Sequence, residues 1–157
     1  MTDAKTEAVE REVRIRARPE TIFPFLVDPD RMVRWMGVAA DADPRPGGIY
    51  RVDIDARGHV ARGEFVEVSP PTRVVFTWGW EGEDSVVRPG SSTVEVTLTP
   101  DGDHTIVRLV HSRLPHKDSA DAQTTGWEHY LPRLEIVAAG GDPGPDPWAQ
   151  QPLTDES

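Results

Sequence analysis

Residues 119–141 read SADAQTTGWEHYLPRLEIVAAGG. Trp127, Tyr130, Leu131, Leu134 and then Val137 or Ala138 recur at three- and four-residue steps, the spacing of one helical face. Gly140 and Gly141 follow as a stop signal, since glycine accepts the left-handed backbone that closes a helix. Pro132 lies inside the pattern and predicts a kink, because its ring removes one backbone donor and crowds the preceding turn. One long helix with a continuous apolar stripe needs an apolar partner, and the chain before it supplies strands.

Going backwards, TIVRLVHSRL (105–114) places Thr105, Val107, Leu109 and His111 on one face by period-two alternation. STVEVTLTP (92–100) does the same with Val94, Val96 and Leu98, and an Asp-Gly turn in PDGDH joins the two segments. RVVFTWGW (73–80) alternates Val74, Phe76, Trp78 and Trp80. HVARGEFVEV (59–68) precedes it, ended by Pro70 and Pro71, which cannot continue a ladder. IYRVDID (49–55) puts Tyr50, Val52 and Ile54 on one face. Asp53 and Asp55 fall in the opposite phase and are read as surface carboxylates, as are Arg62 and Glu64, an outward charge pair. EGEDSVVRPGSS (81–92) is a polar loop. Before Val38 the period is helical: Pro19 and Glu20 start one short helix to about residue 27, with Pro24 an irregularity. DPDRMVRWM (28–36) starts a second, with Asp28 as its cap and Met32, Trp35 and Met36 on one face. A first strand covers roughly 12–18.

The order is one strand, two short helices, about six strands and a long C-terminal helix. Strands and helices segregated in this way predict an α+β domain with an antiparallel sheet. That sheet must curl to grip the helix, since a flat one cannot cover it. The predicted organisation is a flexible N-terminus at 1–10, a helix-grip domain at 11–139, and a Pro/Gly-rich acidic tail at 140–157 read as disordered. Within that tail Trp148 is the residue with apolar surface to dock, in this chain or on a partner.

Composition narrows the function classes. The chain has 157 residues, enough for one domain with a real core. Its net charge is −10, from 27 acidic and 17 basic residues, which argues against nucleic-acid binding. The densest basic run, REVRIRAR (11–18), reads as the solvated face of a strand. There is no cysteine, so disulfides and thiolate chemistry are excluded. With no signal-peptide pattern and no apolar run of roughly 20 residues, a cytoplasmic protein without membrane insertion is expected. His104, His111, His116 and His129 show no metal-ligand spacing, and neither a nucleophile elbow nor a phosphate-cradling glycine loop is present, so no metal, cofactor or catalytic constellation is assigned.

Together, DPRPGGIYR (43–51), GEFVEVSPPTRVVFTWGW (63–80), STVEVTLTP, TIVRLVHSRL and GWEHYLPRL (126–134), in this order, resemble the activator of heat-shock-protein-90 ATPase homologue-like family. That family lies within the START-like, or SRPBCC, helix-grip superfamily. The resemblance covers about residues 11–139. It implies a helix-grip fold with a cavity between the sheet and the long helix, and it leaves the activity open, because one fold hosts many functions. The eukaryotic activator joins this domain to a separate N-terminal domain that contributes to chaperone binding. This chain opens almost directly on its first strand, so a chaperone partner is not expected.

The candidates for the cavity wall are Trp35, Tyr50, Phe76, Trp78, Trp80, His111, Trp127, Tyr130, Leu131 and Leu134. Core packing competes with a binding role for each. His111 would set ligand orientation, with Trp35 and Met36 at the entrance. The leading expectation is a binder of a small apolar molecule, a lipid, polyketide-like or aromatic compound. The alternatives are a cyclase- or hydrolase-like enzyme using His111 as acid or base, and a co-chaperone-like, stress-related interaction protein. Free sheet edges leave a homodimer open.

Overall fold

The structure is a computed structural model that describes residues 7–56, 58–82 and 87–150. Seven strands form one antiparallel sheet: β1 (Glu7–Ile15), β2 (Ala39–Ala42), β3 (Ile49–Asp53), β4 (Val60–Ser69), β5 (Arg73–Trp78), β6 (Ser92–Asp101) and β7 (His104–Leu114). Their order across the sheet is β1-β7-β6-β5-β4-β3-β2, so the chain meanders from β2 to β7 and β1 closes the far edge. The sheet curves around a 22-residue helix, Lys117–Ala138, which packs against β1 and β7. The α+β helix-grip architecture is therefore present as read from the sequence.

Three short helical turns precede the sheet proper: α1 (Pro19–Ile22), α2 (Pro24–Val27) and α3 (Pro29–Met32), with the long helix as α4 and a last turn, Pro147–Gln150, as α5. The segment expected as one helix over 19–27 is two turns meeting at Phe23. Pro24 opens the second at its first position, where a missing N–H costs nothing. Asp28 caps α3 by accepting the Asp30 amide at 3.0 Å. β1 starts at Glu7, earlier than expected, because Glu7 and Val9–Ile15 pair with β7. Residues 7–10 thus belong to the sheet, and residues 1–6 lie outside the described part.

Alternation places Val94, Val96 and Leu98 of β6 and Thr105, Val107, Leu109 and His111 of β7 on the buried face. The phase then slips. Arg113 takes a left-handed φ of 64° and Leu114, not Arg113, is buried, opposite the register shift between Glu7 and Val9. A second shift between Phe65 and Glu67 turns Val66 outward and returns Val68 to the inner face opposite Val74.

α4 runs as one helix through Pro132, whose ring withholds the donor the Glu128 carbonyl would otherwise meet. At its end Gly140 adopts φ 97°, and the Gly141 amide bonds the Ile136 carbonyl at 2.8 Å, satisfying a terminal acceptor. The tail differs from expectation over 140–150. Arg133, on α4, donates to the Gly144 carbonyl at 3.0 Å, and Asp146 is buried against His129. Residues 142–148 therefore form a strap along the helix, ordered by polar bonds that composition alone does not reveal. Residues 151–157 lie outside the described part.

Candidate functional site

The aromatic residues of the sheet divide into two groups. Phe76 stacks on Tyr50 with ring centroids 4.0 Å apart, and Phe65 meets both edge-on. Tyr50 and Phe76, with Trp35, Leu131 and Leu134, line a void of only about 10 Å³, too small for more than about one water. Trp35 donates its ring N–H to the Phe25 carbonyl at 2.8 Å, and Met36 beside it is buried. These residues fill the core, so the expected entrance at Trp35 and Met36 is closed.

The second group opens. Gly79 lies so close to Arg88 that a Cβ there would come within 1.8 Å of its carbonyl oxygen. Only glycine lets the chain pass this point, and it carries Trp80 into an isolated bridge with Ala61 and an amide bond to the Val87 carbonyl. Trp80 then meets Trp78 edge-on at 5.6 Å, and Trp78 meets Trp127 of α4 at 5.3 Å. Between them lies a cavity of about 260 Å³, lined by Trp78, Trp80, Trp127 and Tyr130 and, beyond the expected residues, by Ile54, His59, Ala122, Gln123, Gly126 and Trp148. Of the ten candidates, four line this cavity, five pack the closed core around Phe76, and His111 does neither.

His111 is a correction. Its side chain is fully buried. The Trp127 ring N–H donates to Nδ1 at 3.1 Å, and Nε2 lies 2.8 Å from Ser92 Oγ. The Ser92 hydroxyl gives its one proton to the Trp78 carbonyl at 2.7 Å, so it must accept from His111, which fixes the neutral Nε2–H tautomer. Burial pulls this imidazole down to about 3. Both nitrogens are engaged, so His111 anchors Trp127 and Trp78 and has no lone pair for a ligand or a proton transfer.

Two polar groups on residues of the cavity wall lack partners. Trp78 Nε1 and the Tyr130 hydroxyl are buried with no hydrogen bond among the described residues. Gln123, also buried, adds a polar side chain to the cavity lining. Burial raises the Tyr130 phenol well above its ordinary range, with the Asp146 carboxylate adding to the shift and Asp55 contributing less. It therefore stays a donor. A buried donor left unmet costs about 1–3 kcal/mol; both atoms lie within the packed wall and not on its accessible surface, so the polar side chains presented to the cavity are those of Gln123 and His59.

Asp55 is a second correction. It is buried, because β3 ends at Asp53 and the chain bends through Ala56, at φ 61°, which turns Asp55 out of strand phase. Its Oδ2 is 2.7 Å from His59 Nδ1. Arg62, expected to pair with Glu64, faces Glu81 instead at 3.7 Å. On the opposite rim His129 bonds Asp146 at 2.8 Å, and Trp148 stacks on the His129 ring at 3.8 Å. Sequence reasoning missed His59 and Gly126, which stand in a turn and on a helix flank where no period marks them. Among the described residues no group of three or more His, Asp or Glu is placed to hold a metal, and no helix is long and apolar enough to cross a membrane.

Comparison with known proteins places this arrangement among relatives. The family model described as activator of Hsp90 ATPase homolog 1-like protein matches residues 16–139. An AHSA1-like protein from Rhizobium etli is 41% identical over 100% of this chain and 98% of its own, with a TM-score of 0.74. CalU16 from Micromonospora echinospora is 25% identical, covers 86% of this chain and 78% of its own, and gives 0.69. DynU16, from the dynemicin biosynthetic locus, is 26% identical over 90% of this chain and 49% of its own, at 0.73. A search of curated proteins found no relative.

Proposed function

This chain belongs to the activator of Hsp90 ATPase homolog 1-like family, and on that premise we propose that it binds a small, largely apolar molecule, aromatic or polyketide-like, carrying at least one acceptor oxygen. The observation that carries this reading is an apolar, Trp-walled cavity of about 260 Å³ whose lining also holds the polar side chains of Gln123 and His59. Ligand pockets commonly span roughly 300–1,000 Å³, so this one suits a compact ring system better than a long lipid chain. The rings would supply affinity by burying apolar surface, and Gln123 and His59 would fix orientation. The origin of DynU16 in a biosynthetic locus supports a small-molecule role for this branch of the fold.

Four of the five tryptophans line the cavity, so intrinsic fluorescence reports on it directly. Bicyclic phenols and ketones are expected to quench that emission and raise the melting temperature. A ligand at 100 times its Kd adds about 2.7 kcal/mol. Naphthalene, of similar shape but without oxygen, is expected to bind at least tenfold more weakly. If no such compound at millimolar concentration changes either signal, the reading fails.

A further inference from the structure

Three histidines lie near the cavity, and their bonding sets them apart. His111 has both nitrogens engaged. His129 is bonded through Nε2 to Asp146 and covered by Trp148. His59 lines the cavity, and its Nδ1 is held at 2.7 Å by the buried carboxylate of Asp55. A carboxylate oxygen accepts, so the proton of neutral His59 lies on Nδ1 and the lone pair on Nε2. No group among the described residues bonds that Nε2. The His59 side chain is one-third exposed, so it is open to solvent while forming part of the wall. A base with an oriented lone pair on the wall of an apolar enclosure is the part needed to take a proton from a carbon.

We propose that the His59–Asp55 pair acts as a general base on ketones bound in this cavity, enolising them at the carbon beside the carbonyl. This rests on the binding reading above and extends it to a reaction. His59 Nε2 takes the proton as the carbon–hydrogen bond breaks. Its electron pair forms the new carbon–carbon double bond, and the carbonyl π pair moves onto oxygen. Asp55 balances the imidazolium that forms. Return of a proton to carbon restores the ketone, so no oxidant, reductant or second substrate is required. Asp55 acts here as a positioning residue.

The test uses 2-tetralone, 2-indanone and phenylacetone in D₂O, with binding followed by tryptophan fluorescence and deuterium incorporation beside the carbonyl followed by NMR. Rates are compared at saturating ketone, so changes in affinity do not enter. At least a hundredfold acceleration over buffer is expected for the bound ketone, within the usual range for general bases. It should fall to the buffer rate in His59→Gln, and in His59→Ala should be partly restored by added imidazole. Binding without acceleration, or full acceleration in His59→Gln, overturns the proposal and leaves the binding reading standing. Failure of all three ketones to bind overturns the proposal, and failure of the bicyclic phenols as well overturns the binding reading with it.

Discussion

A histidine with both nitrogens bonded inside an apolar wall can accept a second proton only by breaking one of those bonds. In the folded chain His111 is drawn down to about 3 by burial, whereas an unfolded histidine titrates near 6.5. Its folded value is the lower one, so protonation favours the unfolded chain. The contribution of His111 is complete above about pH 6.5 and is lost progressively as pH falls from there toward 3, by up to about 1.4 kcal/mol per unit. His111→Gln should lower stability at pH 7 by about 1–3 kcal/mol, since an amide meets Ser92 and Trp127 less well. The variant should also show a flatter decline between pH 6 and 4. Urea unfolding of both proteins across that range measures the difference, and parallel curves would place the titration elsewhere. That His111 faces inward was legible from strand alternation. That it is saturated was not, because its partners lie 19 and 16 residues away, on β6 and α4.

Among the elements, α4 carries an unusual feature at its centre. Gly126 is a helical glycine on the cavity wall, and a Cβ there would meet nothing within 4 Å. Glycine costs a helix roughly 0.5–1 kcal/mol relative to alanine. Gly126→Ala should therefore stabilise the protein by about that amount, read as a rise in melting temperature. Gly126→Leu should keep the fold, project its side chain into the cavity and abolish quenching by bicyclic phenols. A Gly126→Leu protein that is folded and still binds them would show that the ligand lies elsewhere. The helix itself, its apolar stripe and its glycine stop could be read directly from periods of three and four. The short helical turns were harder, because Pro24 serves both as an interruption and as a first helical position. β1 and β7 each had an end misjudged or out of phase, since bulges shift the pattern by one residue at Arg113.

For the whole molecule, the strap decides how open the cavity is. Residues 142–148 cross α4 through Arg133, which also bonds the Trp35 carbonyl, and through the His129–Asp146 bond. They end with Trp148 stacked on His129 and edge-on to Tyr130 at 5.6 Å. Trp148→Ala should cost about 0.5–1.5 kcal/mol from the lost aromatic contacts, measured by denaturant unfolding. It should also widen the mouth, so that stopped-flow fluorescence shows dissociation of a bound phenol faster by about tenfold. An unchanged dissociation rate would remove the strap from the entrance.

The sequence by itself determined the α+β class, the order of elements along the chain, the long helix with its stripe, and the family. These follow from periodicity and turn residues, which act over a few positions. Tertiary structure decided which aromatics are core and which are wall. Phe76, Trp78 and Trp80 share one strand face, yet Phe76 is closed off by Tyr50 while Trp80 opens onto free volume beside Gly126 and His59. That difference depends on how tightly a curved sheet meets a helix at each point along its length. Pairings such as Asp55 with His59 and Trp148 with His129 arise from bends and chain returns that no repeating pattern encodes.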